Sequence, residues 1–489
     1  MNRSDERGIA IIAALFLTLI LSLIGSSLMF VARTETLSSL NYKTMSQGRY
    51  GAESGVHVAA NHLMFTYAPP GTPADPIDNY DMSASPVTFN GNPVVLSSDP
   101  NVAANYPIAA VSAAFDAATT GTMNVGSGSV GYGARATLVS MRQVPDAYSG
   151  ASVTLQTWEI TGIGTIGGVG SANVEVSAVI DRQMVSAYRY AAFSTFDGCN
   201  SLSFAGGATT DSYDSTSVTP GSPPTLDEYG GDVGTNGNLT DVGNPTTIWG
   251  TLSTPRSGVG ACTANNVTAA TAGNAPQKGL VELPQPILFT TPPTPSPLPG
   301  TGSTGFGKNS GCPAGVVGCA ASANGATITP PANTVVTMGN VDIGSQAVLH
   351  LNEGTYNINS FTMNANAQII IDSGPVILNV AGQGLGTGQT VIKITGNGIS
   401  NTTYDPMNLQ FRYGGPGDID MAGGAQTSAL MYAPNATGKF TGNSDFYGAV
   451  ILKQLTAAGG ASIHYDRNLA GQLLIPGNFT MNQFTWKAF

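Results

Sequence analysis

Few side chains in this sequence could do chemistry. His464, Tyr465 and Asp466 are consecutive and would offer a base, an acid and an orienting carboxylate. Neighbours on a strand point to opposite faces, however, so the three cannot converge on one substrate, and a packing or turn role is expected. Asp211 and Asp214, with Asp227, Glu228 and Asp232 nearby, are oxygen ligands of the kind calcium takes. No EF-hand or nonapeptide pattern accompanies them, and a solvated loop is the expectation. Gly382, Gly384, Gly386 and Gly388 lack the Lys-Ser/Thr that follows in a phosphate-binding loop, and read as a flexible turn. Glu353 and Asp372 fall at turn positions of an internal repeat, a poor place for a polysaccharide-cleaving pair. No catalytic residue, metal site or cofactor is therefore expected, and the chain reads as a non-enzyme.

The four cysteines, Cys199, Cys262, Cys312 and Cys319, permit two disulfides and three connectivities. The short Cys312 to Cys319 loop, with Cys199 bridged to Cys262, is the expected pairing. A zinc site would need closer ligands: there is no CxxC pair, and the distal histidines are His350 and His464. Charged residues make up only 10% of the chain while glycine reaches 62, which suits an extracellular β-rich protein of tight turns. A net charge of −11, without a basic stripe, argues against a nucleic-acid partner.

These groups are carried by a chain whose start is its most defined feature. Residues 9–32, IAIIAALFLTLILSLIGSSLMFVA, contain no charged side chain. As a helix the run is roughly 36 Å long, enough to cross a hydrocarbon core of about 30 Å. It is longer than the apolar core of a signal peptide. The pattern continues through Leu37, Leu40, Met45, Ala52, Val56, Ala60 and Leu63, with charges between, and no proline occurs before Pro69. The spacing predicts one helix from about Ile9 to Phe65, apolar all round in its first half and amphipathic in its second.

A short polar leader ending in Gly8, an immediate apolar helix beginning RGIAIIAALFLTLILSLIG, and a later segment Gly51-Ala52-Glu53-Ser54-Gly55 resemble the PilX-type minor pilins, within the wider group of type IV pilins and type II secretion pseudopilins. The resemblance covers about 60 residues. It implies that a prepilin peptidase cuts after Gly8, leaving Ile9 as the methylated mature N-terminus. Major pilins carry a Glu where this chain has Ala13. Its absence is shared with PilX-type proteins and tip pseudopilins, and implies a minor, initiating or tip subunit.

Beyond the helix, a Pro-, Ala- and Asp-rich stretch to about residue 130 reads as loops with short strands. Arg135–Met141, Val153–Thr161 and Ala172–Asp181 then alternate as strands, separated by turn formers at Pro145, Gly150 and Gly162 to Gly170. Trp158 reads as a core or sheet residue. From about residue 190 an internal repeat emerges. VDIGSQAVLHLNEGTYNI from Val341 aligns with FTMNANAQIIIDSGPVILNV from Phe361 at a shift of 20 residues, matching Ile343 to Met363, Leu349 to Ile369, Leu351 to Ile371, Gly354 to Gly374 and Tyr356 to Val376. A fixed period of this kind is what a β-solenoid needs. Looser echoes lie at Gly237, Phe440–Asn443, Leu455–Ala458 and Phe479–Asn482. The Pro-rich Leu283–Pro299 is equally consistent with a linker or with a strap along one solenoid.

The expected architecture is α+β then mainly β: a leader (1–8), a long pilin-like helix (9–68, transmembrane over 9–32), a pilin-like head with a small antiparallel sheet (69–190), and a β-solenoid-like domain (191–489) interrupted by a Pro-rich segment (266–325). The expected function is that of a PilX-type minor pilin. It would cross the inner membrane once before assembly, enter a pilus through its helix against other pilins, and act in assembly or adhesion at the cell surface at or near the tip. A type II secretion pseudopilin, or an adhesin whose β-helix binds a surface or glycan, is the alternative.

Overall fold

The computed structural model describes residues 3–488 apart from 126–127, 149, 168–171, 243–245, 273–275 and 424–425. The chain divides into two compact units, Met1–Pro145 with Ser152–Met184 and Pro476–Phe489, and Asp146–Ala151 with Val185–Ile475. With no proline to interrupt it, α1 runs unbroken over Arg3–Phe65. Its amphipathic stripe is used only in part. Ala52, Val56, Ala59, Ala60 and Leu63 are buried, whereas Leu37, Leu40 and Met45 remain 42–53% exposed.

The buried end of α1 lies on a sheet that, among the described residues, has six strands. Gly128–Pro145, Ser152–Ile166 and Ala172–Ser186 pair antiparallel. Val95–Ser97 and Gly121–Val125 pair with the first of these, and Leu474–Ala488 lies beside the last. Trp158, Leu138, Ile160, Val176 and Ile180 fill the space between sheet and helix.

The helix approaches the sheet through glycine on both sides. A Cβ on Gly55 would overlap the Gly133 carbonyl oxygen, one on Gly162 that of Ala52, and one on Gly164 that of Gly48. Gly162 and Gly164 therefore sit inside a strand and do not open a turn, because close backbone approach is a second reason for glycine in an alternating sequence. The end of the expected Gly162 to Gly170 turn lies outside the described residues. A second difference is α2, Ala109–Thr119, in a region read as loops and short strands. Its sequence AAVSAAFDAAT has no side-chain cap. It forms by burying Phe115 beneath α1, edge-on to His62.

The second unit is a stack of mainly parallel strands, with Cys319–Ser322 and Gly325–Ile328 paired antiparallel. Val335–Ile343 lies in register with Gly354–Met363, and Val348–Leu351 with Gln368–Ile371, both at the expected shift of 20. The register then changes. Gly354 meets Val376 and Tyr356 meets Leu378, a shift of 22, in place of the expected Gly374 and Val376. The turn between Ile371 and Val376 holds two more residues than that between Leu351 and Gly354. A slip of two keeps every side chain on its own face, so the apolar pattern cannot distinguish it.

The coils are not stacked in chain order. Ala192–Ser194 and Leu202–Ala205 pair with the late strand Asp445–Ala458 on one side and with Val233–Thr235 and Leu239–Val242 on the other. From there the stack continues to Leu252–Thr254 and Leu280–Glu282. The chain thus enters mid-stack, builds outward to residue 282, and restarts at the opposite end with Ser303–Phe306 against Val335–Ile343. The Pro-rich segment makes the return. Along it, Leu283 N–H donates to Thr254 O, Asn236 donates to Ile287 O, Tyr432 Oη to Thr290 O (2.8 Å) and Asn357 Nδ2 to Pro297 O (2.8 Å). Of the two readings left open for this segment, the strap describes these contacts. Its backbone carbonyls are satisfied by side chains, because proline leaves no N–H for a ladder. The solenoid expectation also fails at Phe479–Asn482: this alternating run belongs to Leu474–Ala488, the edge strand of the first unit's sheet. Period-two alternation reads the same in both settings.

Candidate functional site

The first half of α1 packs against nothing else among the described residues. Ile9, Ile12, Leu15, Phe16, Leu19, Leu23, Leu28 and Phe30 are 57–75% exposed around the whole circumference, and the helix is long and apolar enough to cross a membrane. Water solvates such a surface badly, at about 25 cal/mol per Å², so lipid or other apolar helices are its natural surroundings. Gly8 lies within the helix and Ile9 and Ala13 follow on its bare portion. Nothing occupies the space a Cβ on Gly25 would take, and the Gly25-Ser26-Ser27 face is open to a neighbour.

His464, Tyr465 and Asp466 go three ways. Tyr465 Oη donates to Tyr188 O (2.9 Å). The buried Asp466 carboxylate accepts from the Ser215 and Asn468 N–H groups (both 3.1 Å), and burial raises its pKa. His464, 4% exposed, places Nδ1 2.5 Å from Asp211 Oδ1 and Nε2 3.6 Å from Asp445 Oδ1. Burial alone would pull its pKa down, but the hydrogen bonds and charges of the two aspartates outweigh it and hold the pKa at about 9. At neutral pH the imidazole is a cation held between two aspartates. It ties together the strands Thr209–Tyr213, Asp445–Ala458 and Ser462–Asp466. Sequence reasoning missed this cluster, since Asp211 and His464 are 253 residues apart and meet only because the chain enters mid-stack.

Four of the other aspartates are engaged separately. Asp214 accepts from the Thr216 N–H and hydroxyl, which lower its pKa. Asp227 accepts from Arg467 Nη1 at 2.7 Å, and Asp232 from Thr251 N–H at 2.6 Å. Asp372 binds His350 Nδ1 at 3.0 Å, and at Glu353 it is the backbone N–H, not the carboxylate, that bonds, donating to Ser373 Oγ. No group of three or more His, Cys, Asp or Glu is placed to hold a metal among the described residues. Asp241 was not singled out by sequence. Its carboxylate is buried with no hydrogen-bond partner among the described residues, and burial raises its pKa to about 6. Gly382, Gly384 and Gly388 have φ of +65°, +76° and +80°, left-handed turn backbone that favours glycine. Cys199 is bonded to Cys262 and Cys312 to Cys319.

Comparison with known proteins separates the ends of the chain. Residues 7–57 match the PilX N-terminal family model, and residues 330–472 match a domain of unknown function. No curated protein matches the sequence. Among solved structures, the competence-associated pilin ComZ from Thermus thermophilus aligns at 13% identity over 91% of this chain and 97% of its own, with a TM-score of 0.22, too low to carry a shared fold.

Proposed function

We propose, from an N-terminal region that is type IV minor pilin-like, that the protein is a PilX-type minor pilin acting in pilus assembly at or near the tip. The observation that carries this is the bare apolar helix. From Ile9 to Val31 its large side chains are 49–77% exposed, a surface that suits lipid before assembly and neighbouring pilin helices afterwards. Leu37, Leu40 and Met45 extend it beyond one membrane thickness, and burial against other helices accounts for that excess better than a simple anchor does. A prepilin peptidase cuts after Gly8 in this reading, and Ala13 in place of Glu marks a subunit that does not recruit a neighbour through that carboxylate. The reading assigns no enzymatic role.

The test is a Gly8→Leu variant followed by intact mass and fractionation. The unaltered chain should lose residues 1–8 and appear in sheared surface fibres; the variant should keep its leader and stay in the membrane. A variant of normal processed mass that still reaches the fibre overturns the proposal.

A further inference from the structure

The second unit carries a cavity of about 180 Å³ beside the His464 cluster, walled by the Asn401–Asp405 turn, the loop at Gly221 and the strand Gln426–Thr441. None of its lining residues is charged. Gln368, Ser400, Thr402 and Gln426 line it with amides and hydroxyls that make no side-chain hydrogen bond among the described residues. Each such group both donates and accepts. Thr427 also lines it, fully buried, with a hydroxyl that has no partner among the described residues. A buried hydroxyl left unpaired costs about 1–3 kcal/mol unless something completes it.

Two aromatic rings supply the apolar wall. Tyr404 and Tyr447 meet edge to face at 4.9 Å. Tyr447 also packs against His464, with ring centroids 4.5 Å apart, and that imidazole's charge is met by Asp211 and Asp445. Tyr404 has φ of +53°, a conformation non-glycine residues avoid. It is fixed there by three contacts: Tyr213 Oη donates to its carbonyl at 2.7 Å, its N–H donates to Asn401 O, and Asn401 Nδ2 donates to Asp405 O. Gly221 N–H pins the same turn through Thr402 O. The wall is therefore built before any ligand arrives, which lowers the entropic cost of binding.

We infer that this cavity is a binding site for one residue of a neutral glycan. Sugar hydroxyls pair with uncharged amides and hydroxyls, and the C–H face of the ring packs on tyrosine. A phosphate or carboxylate would find no cation, and a lipid chain would strand the amides. The inference rests on the adhesive reading of the second unit, whose expected ligand was a surface or glycan, and supplies the site and ligand class.

The experiment uses the full chain in a detergent without a sugar headgroup, applied to an array of neutral hexose and N-acetylhexosamine oligosaccharides alongside sialylated and uronic-acid ones. Neutral glycans should bind, and Tyr404→Gly and Gln426→Ala should each weaken that binding at least tenfold with the melting temperature unchanged or raised. Tyr404→Gly keeps the carbonyl that Tyr213 holds and relieves the backbone, so loss of fold does not explain lost binding. Binding confined to acidic glycans, no binding at all, or undiminished binding by both variants overturns the site. Correct processing and fibre entry of the same chain would leave the pilin reading standing in each of those cases.

Discussion

The two units solve the problem of a low-charge, glycine-rich sequence in opposite ways. In the first, one helix is pressed onto one antiparallel sheet, and the spacing between them is set by glycine: Gly48 and Gly55 on α1 against Gly164 and Gly133. In the second, each coil touches the next at a shift that varies, from 20 residues at Leu349 against Ile369 to 33 at Val376 against Leu409, and the buried apolar side chains, Phe204, Phe411, Phe361 and Tyr356 among them, form one core. A helix on a sheet is one interface that holds or fails as a whole, whereas a stack spreads its stability over nearest-neighbour contacts. Glycine is thus a packing residue in the first unit and chiefly a turn residue in the second, although the composition is shared.

That contrast can be tested by substitution. The largest effect is expected at Gly164→Ala, whose new Cβ would overlap the Gly48 carbonyl. A loss of about 4 kcal/mol is expected, because backbone cannot move aside as a side chain can. Hydrogen exchange should quicken across Gly128–Ser186 and leave residues 335–371 protected; equal loss in both units would show that they do not respond separately.

Next comes replacement of Cys199 and Cys262 by Ser. The bridge spans 63 residues, for which chain entropy gives about 4 kcal/mol, against about 2 for the 7-residue Cys312 to Cys319 loop. Denaturant midpoints of the two double variants should fall in that order, and the reverse order would place the stack's weak point at the Cys312 end.

His464→Ala should cost about 3 kcal/mol, since it leaves two aspartates facing each other without their cation. The pH dependence fixes its sign. The folded pKa of His464, about 9, lies above its ordinary 6.5, so its contribution is complete below pH 6.5 and is lost as pH rises through 9. Asp241 acts in the same direction at lower pH. Its carboxyl, raised from 3.8 to about 6, favours the fold while protonated and stops doing so as pH rises through that range. Asp241→Asn should abolish the lower step, read as melting temperature from pH 4 to 7, and a persisting step would assign it to another acid.

The smallest change, Ile369→Val in mid-stack, should cost about 1 kcal/mol and stay local. A larger, stack-wide loss would show that the coils do not share stability as nearest neighbours.

The sequence by itself determined the mounting of this protein. A run of 24 uncharged residues at 9–32 with no proline before Pro69 has one low-energy form, and propensity and hydrophobicity agree along it. It also showed the stacked register between Val341 and Ile371, because a local repeat writes its period into the chain. Tertiary structure alone decided the rest. A slip of two residues is invisible to a pattern of period two, so the 22-residue step after Ile371 could not be read. The glycines of Ser152–Ile166 looked like punctuation because the helix that needs them lies over a hundred residues earlier. Asp211 and His464 meet only because the chain enters its own stack in the middle. Tyr404 and Thr427 likewise acquire a shared cavity only once strand Gln426–Thr441 lies beside the Asn401–Asp405 turn, since close contact between side chains distant in sequence leaves no periodic trace.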